Sequence, residues 1–125
     1  MTIREALRQV DELKPNAISE EQKIKWLDRM ERFFIEECIK THHVPERYRG
    51  LEFRGYDTHT DDETELLIPD PDSEVYLAYL EMKIDLANME IEKYNNSAML
   101  YGQVLQNLKK KYNRENMPLQ SQLHF

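Results

Sequence analysis

Residues 71–115 read PDSEVYLAYLEMKIDLANMEIEKYNNSAMLYGQVLQNLKKKYNRE, and the periodicity inside them decides the fold. Asp70 followed by Pro71 has the form of an N-cap and a first-turn proline, so a helix is predicted over 71–94. It carries two apolar stripes. Val75, Tyr79, Met82, Leu86 and Met89 make one; Leu77, Leu80, Ile84, Ala87 and Ile91 make the other, with centres roughly 150° apart. Glu81, Asp85, Asn88 and Glu92 run between them as a polar strip. A helix apolar on two sides packs against two layers, and in a chain this short the second layer could be another subunit. Asn95-Asn96-Ser97 then interrupts the pattern with residues that tolerate the left-handed conformation and a good N-cap. A last helix follows over 98–115, with Ala98, Tyr101, Val104, Leu105, Leu108 and Tyr112 on one face together with Leu100. So short a link favours an antiparallel helical hairpin; one long helix kinked at 95–97 is the alternative.

Two more helices precede this pair. Thr2 with Glu5 forms a capping box, and Ile3, Ala6, Leu7, Val10 and Leu13 share a face, which predicts a helix over 3–14 stopped by Pro15. Ser19 with Gln22 forms a second capping box, and Glu20 and Glu21 suit the positive end of the helix dipole, so the next helix runs over 20–41. Its apolar face, from Ile24, Trp26 and Leu27 through Met30, Phe33 and Phe34 to Cys38, covers nearly half the circumference and places this helix near the centre of the core. Ile35 and Ile39 fall outside that face or at its edge. Between the helical pairs, residues 41–70 form a long irregular insert with two of the three glycines, in which Leu51-Glu52-Phe53 and Leu66-Leu67-Ile68 could pair as a short β-hairpin. An insert of this length is usually functional or mobile. The expectation is an all-α protein: a compact four-helix bundle of two hairpins, one domain over 1–118. A tail over 119–125 has Leu123 and Phe125 at its tip.

Composition narrows the class. With 125 residues, 40% hydrophobic and 33% charged, the chain can bury a core but shows no apolar run long enough to span a membrane. A single cysteine, Cys38, excludes an internal disulfide framework and suits a reducing compartment, and the start MTIRE lacks the apolar stretch of a signal peptide. There are 17 Lys and Arg against 24 Asp and Glu, a net charge of −7. The imbalance lies in one segment, 57–74, whose eight acids (among them Asp57, Asp61, Asp62 and Glu63) meet no Lys or Arg. Such a run is solvated or faces a basic partner. Tight wrapping of nucleic acid is disfavoured, because phosphate affinity needs a clustered basic surface.

Signs of catalysis are missing. No glycine-rich phosphate loop and no GxSxG elbow occurs. Cys38 and His42 stand four residues apart beside His43, with His59 remote, but zinc prefers tighter paired spacing; a buried cysteine beside exposed helix-end histidines is the simpler reading. Asp57, Asp61, Asp62 and Glu63 do not match a calcium loop. Lys109-Lys110-Lys111 with Arg114 suits the negative end of the last helix. The second helix spends its surface on Trp26, Phe33 and Phe34, which argues against a DNA-recognition helix.

Three blocks taken together resemble a known family. They are VDELKPN (10–16) with Ser19 and KIKWL (23–27); ELLIP (65–69) through Glu74-Val75-Tyr76, Tyr79-Leu80 and Ile84-Asp85 to YNNS (94–97); and Tyr112-Asn113-Arg114 with Asn116-Met117-Pro118. The chain is similar to the small head–tail connector (adaptor, or neck) proteins of tailed phages and prophages of low-GC Gram-positive bacteria. It departs from them at Pro71-Asp72-Ser73, at Tyr101-Gly102 and in a longer, more basic 42–56 insert. The resemblance implies a structural virion protein without enzymatic activity, cofactor or metal. It would be made in the host cytoplasm and assembled as a ring in the virion neck, between the portal protein and a downstream neck or tail protein. Genomic DNA would pass through the ring without sequence-specific binding, and no membrane is involved. Segments 41–56, with Arg47, Arg49 and Arg54, and 57–74, with Asp57, Asp61, Asp62 and Glu63, could supply the complementary surfaces of neighbouring subunits. Leu123 and Phe125 are candidate docking contacts. A small helical regulator or adaptor, binding a protein or DNA as a monomer or dimer, is the alternative.

Overall fold

The computed structural model describes residues 1–119 and contains four α-helices: α1 (Ile3–Leu13), α2 (Glu20–Phe34), α3 (Glu74–Ala87) and α4 (Ile91–Glu115). Both N-terminal capping motifs form as the sequence predicts. The Thr2 hydroxyl accepts from Glu5 N–H at 3.1 Å and the Ser19 hydroxyl from Gln22 N–H at 3.1 Å. α2 does not run on to 41 as an α-helix. It passes into a π-helical turn, Ile35–Ile39, closed by Lys40 N–H donating to Ile35 O at 2.9 Å. The extra residue in this turn shifts the register so that Cys38 and Ile39 are both buried.

α3 and α4 form an antiparallel hairpin. Asp85 meets Ser97, the rings of Tyr79 and Tyr101 lie 5.3 Å apart, and Asp72 meets Lys111, so partners descend on one helix as they ascend on the other. The reversal is at 88–90, not at 95–97. Met89 N–H donates to Leu86 O at 3.0 Å and Glu90 N–H to Asp85 O at 3.0 Å, with Met89 left-handed at φ 55°. This is a Schellman ending with methionine where glycine is usual. Ser97, expected to cap the last helix, lies inside α4. Its hydroxyl reaches back 2.8 Å to Asp85, which also receives the Lys14 ammonium at 2.8 and 2.9 Å. Asp85 was expected on a polar strip; it is only 1% exposed, because α1 and α4 close over it with a cation and a hydroxyl. At its other end α3 starts at Glu74 after a turn over 70–73, in which Asp70 accepts from the Ser73 hydroxyl instead of capping the helix.

One hydrophobic core draws on every helix: Ile3 and Val10 from α1, Leu27 and Met30 from α2, Leu80 and Ile84 from α3, and Leu108 and Tyr112 from α4. The β-hairpin expected in the insert does not form, and no strand occurs among the described residues. The donors of 66–68 are taken elsewhere. Leu66 N–H bonds Met1 O at 2.9 Å, Leu67 N–H bonds the Glu31 carboxylate at 2.8 Å and Ile68 N–H bonds the Tyr76 hydroxyl at 2.8 Å. The segment is extended with Leu66 and Ile68 turned into the core. The described residues form only isolated bridges, Thr2 with Glu65 and His42 with Pro118.

Gly55 is one place where the insert requires glycine. Its φ is 91°, and a Cβ there would lie 2.8 Å from Arg32 Nη2 and 3.0 Å from Asp28 Oδ1, the atom that receives Tyr56 N–H at 2.8 Å. Gly55→Ala is therefore expected to lower stability by about 1–2 kcal/mol, read as a lower urea midpoint with unchanged slope.

Candidate interaction surface

The acidic segment has a basic partner inside its own chain. Asp57 and Asp61 first shape the turn: Asp57 accepts His59 N–H at 2.7 Å and Asp61 accepts Glu63 N–H at 3.0 Å. The turn then docks on the start of α1. Asp62 O accepts Arg4 N–H at 2.9 Å and Thr64 O accepts Ile3 N–H at 3.1 Å, satisfying donors that a helix start leaves without intrahelical acceptors. The Arg4 guanidinium takes both oxygens of the Asp62 carboxylate, at 2.8 and 3.2 Å, and also pairs with Glu63. Asp72 pairs with Lys111 at 2.8 Å. The arginines at 47, 49 and 54 do not meet this segment. Arg49 pairs with Glu46 at 3.1 Å and Arg54 with Glu52 at 3.3 Å, both exposed, while Arg47 lies over the Tyr48 ring. The structure thus brings Asp62 and Glu63 together with Arg4, and leaves the three arginines apart from them. Leu123 and Phe125 lie outside the described residues.

What holds the insert is a residue that the sequence reading passed over. Glu31, on α2, is fully buried. Its carboxylate receives the Tyr56 hydroxyl at 2.7 Å, Leu67 N–H at 2.8 Å and the Tyr76 hydroxyl, so one side chain ties α2 to the middle and the far end of the insert and to α3. No cation pairs with it among the described residues. Burial therefore holds the Glu31 carboxyl above the usual range, against the opposing pull of Tyr76, Tyr56 and Leu67. Burial, and then the neighbouring Glu31, push the Tyr56 and Tyr76 phenols far up, so both remain hydroxyl donors. At 100° per residue Glu31 falls between Cys38 and Ile24, inside the apolar face near its Ile24 edge. An ionisable residue there was the available signal.

Cys38 is buried, and desolvation pushes its thiol up to about 11. His42 was expected to be exposed but is buried. Its Nδ1 lies 2.8 Å from Cys38 O and its Nε2 2.5 Å from Asn113 Oδ1, and its ring packs edge-on against Tyr112. These contacts close a clasp, with His43 N–H donating to Met117 O at 2.8 Å and Leu119 N–H to Thr41 O at 3.1 Å. His42 faces the carbonyl of Cys38, not its sulfur. Among the described residues no group of three or more His, Cys, Asp or Glu could hold a metal ion, and no helix is long and apolar enough to cross a membrane.

The remaining surface has a two-ended character. Asp85, Lys14 and Ser97 mark one end of the helices, and the edge-on pair Phe34–Tyr112, 5.7 Å apart, marks the other. Of the nine large apolar side chains that are exposed among the described residues, Leu13, Leu86, Met89 and Ile91 sit at the first end, and Val44, Leu51 and Met117 at the second. That leaves only Met99 and Leu100 on the flank of α4. At the second end a groove of about 310 Å³ is lined by Ile35, Ile39, Val44, Tyr48 and Leu51. Lys40 and Arg49 are its only charged side chains among the described residues. Ile35, off the main apolar face in the sequence, therefore lines a surface of its own, and Ile39, buried in the core, borders the same groove. No family model, curated protein or solved structure was found to match the chain.

Proposed function

We propose that the chain is a head–tail connector subunit of a tailed phage or prophage. It is a non-catalytic virion protein whose copies form a ring beneath the portal, extend the DNA channel and dock the next neck or tail component. The observation that supports this most is how little of α4 the chain covers. Over 25 residues only Leu108 and Tyr112 are buried, and Tyr101, Val104 and Leu105 are half-covered. Apolar surface left open along a helix is characteristic of a chain that finishes its packing against neighbours. In this reading the four helices act as a compact bundle of two hairpins that presents the 41–74 segment rigidly. The acidic turn, clamped by Arg4, gives a fixed negative surface, and a negative channel wall repels phosphates and lets DNA slide. Arg49 and Arg54 have only exposed local partners, which cost little to exchange for an acidic surface on another subunit, and Arg47 has no ion-pair partner among the described residues.

The test is the mass of the purified protein in solution, alone and after mixing with neckless particles from the same source. A ring-sized species or incorporation into the neck is expected. A monomer or dimer that ignores particles overturns the reading in favour of a small helical regulator or adaptor. Reversing the charge at Arg47, Arg49 and Arg54 to glutamate is expected to weaken assembly roughly tenfold or more. Unchanged assembly removes the arginine contact.

A further inference from the structure

We infer that the tip of the α3–α4 hairpin in one copy seats in the Ile35–Leu51 groove of a second copy, joining subunits head to tail. The inference rests on the ring reading and gives it a specific joint. Tip and groove lie at opposite ends of the molecule, separated by α2 and its π-helical turn, roughly 30 Å. Two different surfaces at opposite ends make a heterologous contact, the kind that propagates from copy to copy and closes into a ring when the rotation allows.

The two surfaces match in chemistry. The tip presents Leu86, Met89 and Ile91 around a tight reversal; the groove is apolar and concave. Charge sets the partner. The tip is flanked by Glu90 and Glu92, the groove by Lys40 and Arg49, so tip meets groove with opposite signs, while tip against tip or groove against groove sets like charges together. The present partners of these groups, Lys93 for Glu90, Glu36 for Lys40 and Glu46 for Arg49, are exposed neighbours on the same segment and exchange at little cost. Glu92 has no ion-pair partner among the described residues. Met89 adds an independent sign. It occupies a left-handed position, φ 55°, that glycine or asparagine fills at lower cost, yet its side chain is 80% exposed and returns nothing to the core. A flexible thioether at the crown of a turn suits insertion into a neighbour's groove.

The experiment uses the full chain carrying Met89→Glu at the tip or Val44→Glu in the groove, both at exposed positions. Melting curves check the fold, and Met89→Ser and Val44→Ser stand in if a glutamate variant does not fold. Light scattering reads the mass. Each variant is expected to associate roughly a hundredfold more weakly than wild type. Mixing the two is expected to give a 1:1 pair and nothing larger, because the mixture contains one intact tip and one intact groove that match. A mixture that stays monomeric, a folded variant that assembles like wild type, or a wild type that stays monomeric at every concentration overturns the contact. Incorporation into particles separates the two claims. Tip variants that enter the neck as well as wild type sink the joint and leave the ring, whereas wild-type protein that never enters sinks the ring.

Discussion

Glu31→Ala is expected to lower stability by about 3–5 kcal/mol and to loosen residues 53–68 before the helices melt. The magnitude follows from what the substitution abandons. Two tyrosine hydroxyls and the Leu67 N–H all point at the Glu31 carboxylate, and a buried donor without an acceptor costs about 1–3 kcal/mol. Glu31→Gln keeps one acceptor oxygen but turns an amide N–H₂ toward a donor, so its cost should be smaller. The pair also carries a pH signature. Burial raises the Glu31 carboxyl above its ordinary value near 4.5 in the folded protein. The folded state therefore binds this proton more tightly than the unfolded chain does. The corresponding stability is fully present below the unfolded value and is lost as pH rises through the folded one. Urea titrations from pH 4 to 8 should show a falling segment in wild type that is absent in Glu31→Gln. Identical slopes would mean that Glu31 binds its proton equally tightly in both states.

Asp85→Ala is expected to cost about 2–4 kcal/mol. Asp85 is almost fully buried and holds the end of α1 through Lys14 and the first turns of α4 through Ser97. Removing it leaves an ammonium and a hydroxyl facing each other, and breaking a buried pair costs about 3–5 kcal/mol; the part of Lys14 that reaches water reduces this. Lys14→Met should cost at least as much as Asp85→Ala, because it leaves the almost fully buried Asp85 carboxylate facing the Ser97 hydroxyl without its cation. A double-mutant cycle over Lys14 and Asp85 checks it; additive losses would mean the pair carries no coupling.

Local rules reached some of these elements and not others. The starts of α1 and α2 were legible because a cap hydroxyl and the N–H that donates to it lie three residues apart, in Thr2–Glu5 and Ser19–Gln22. The end of α3 was not. Met89 takes a position that local chemistry assigns to glycine or asparagine, while Asn95-Asn96-Ser97 offers a more persuasive break and lies within α4. What decides is tertiary: turning at 88–90 puts Ser97 over Asp85 and Lys14 beside it. Leu66-Leu67-Ile68 was legible as extended but not in its pairing, since its donors go to Glu31 and Tyr76, 36 and 8 residues away. The acidic segment was legible as a charge excess, and its need for a basic partner was met by Arg4, 58 residues upstream. His42 looked like a helix-end residue until Asn113 and Tyr112 arrived from the far end of the chain to cover it. The candidate contact residues divide along the same line. Which of them are charged and exposed follows from type and spacing; which are already engaged follows only from the fold.

The anchoring of 66–68 also bears on how the molecule opens. Loops ordinarily exchange their amide hydrogens through small local fluctuations, well before helices unfold. Here the amides of Leu67 and Ile68 end on a buried carboxylate and a buried phenol, so freeing either one requires α2 and α3 to part. A stretch with no ladder of its own is therefore kinetically a member of the central helices, and would be released with them in the last cooperative step of unfolding.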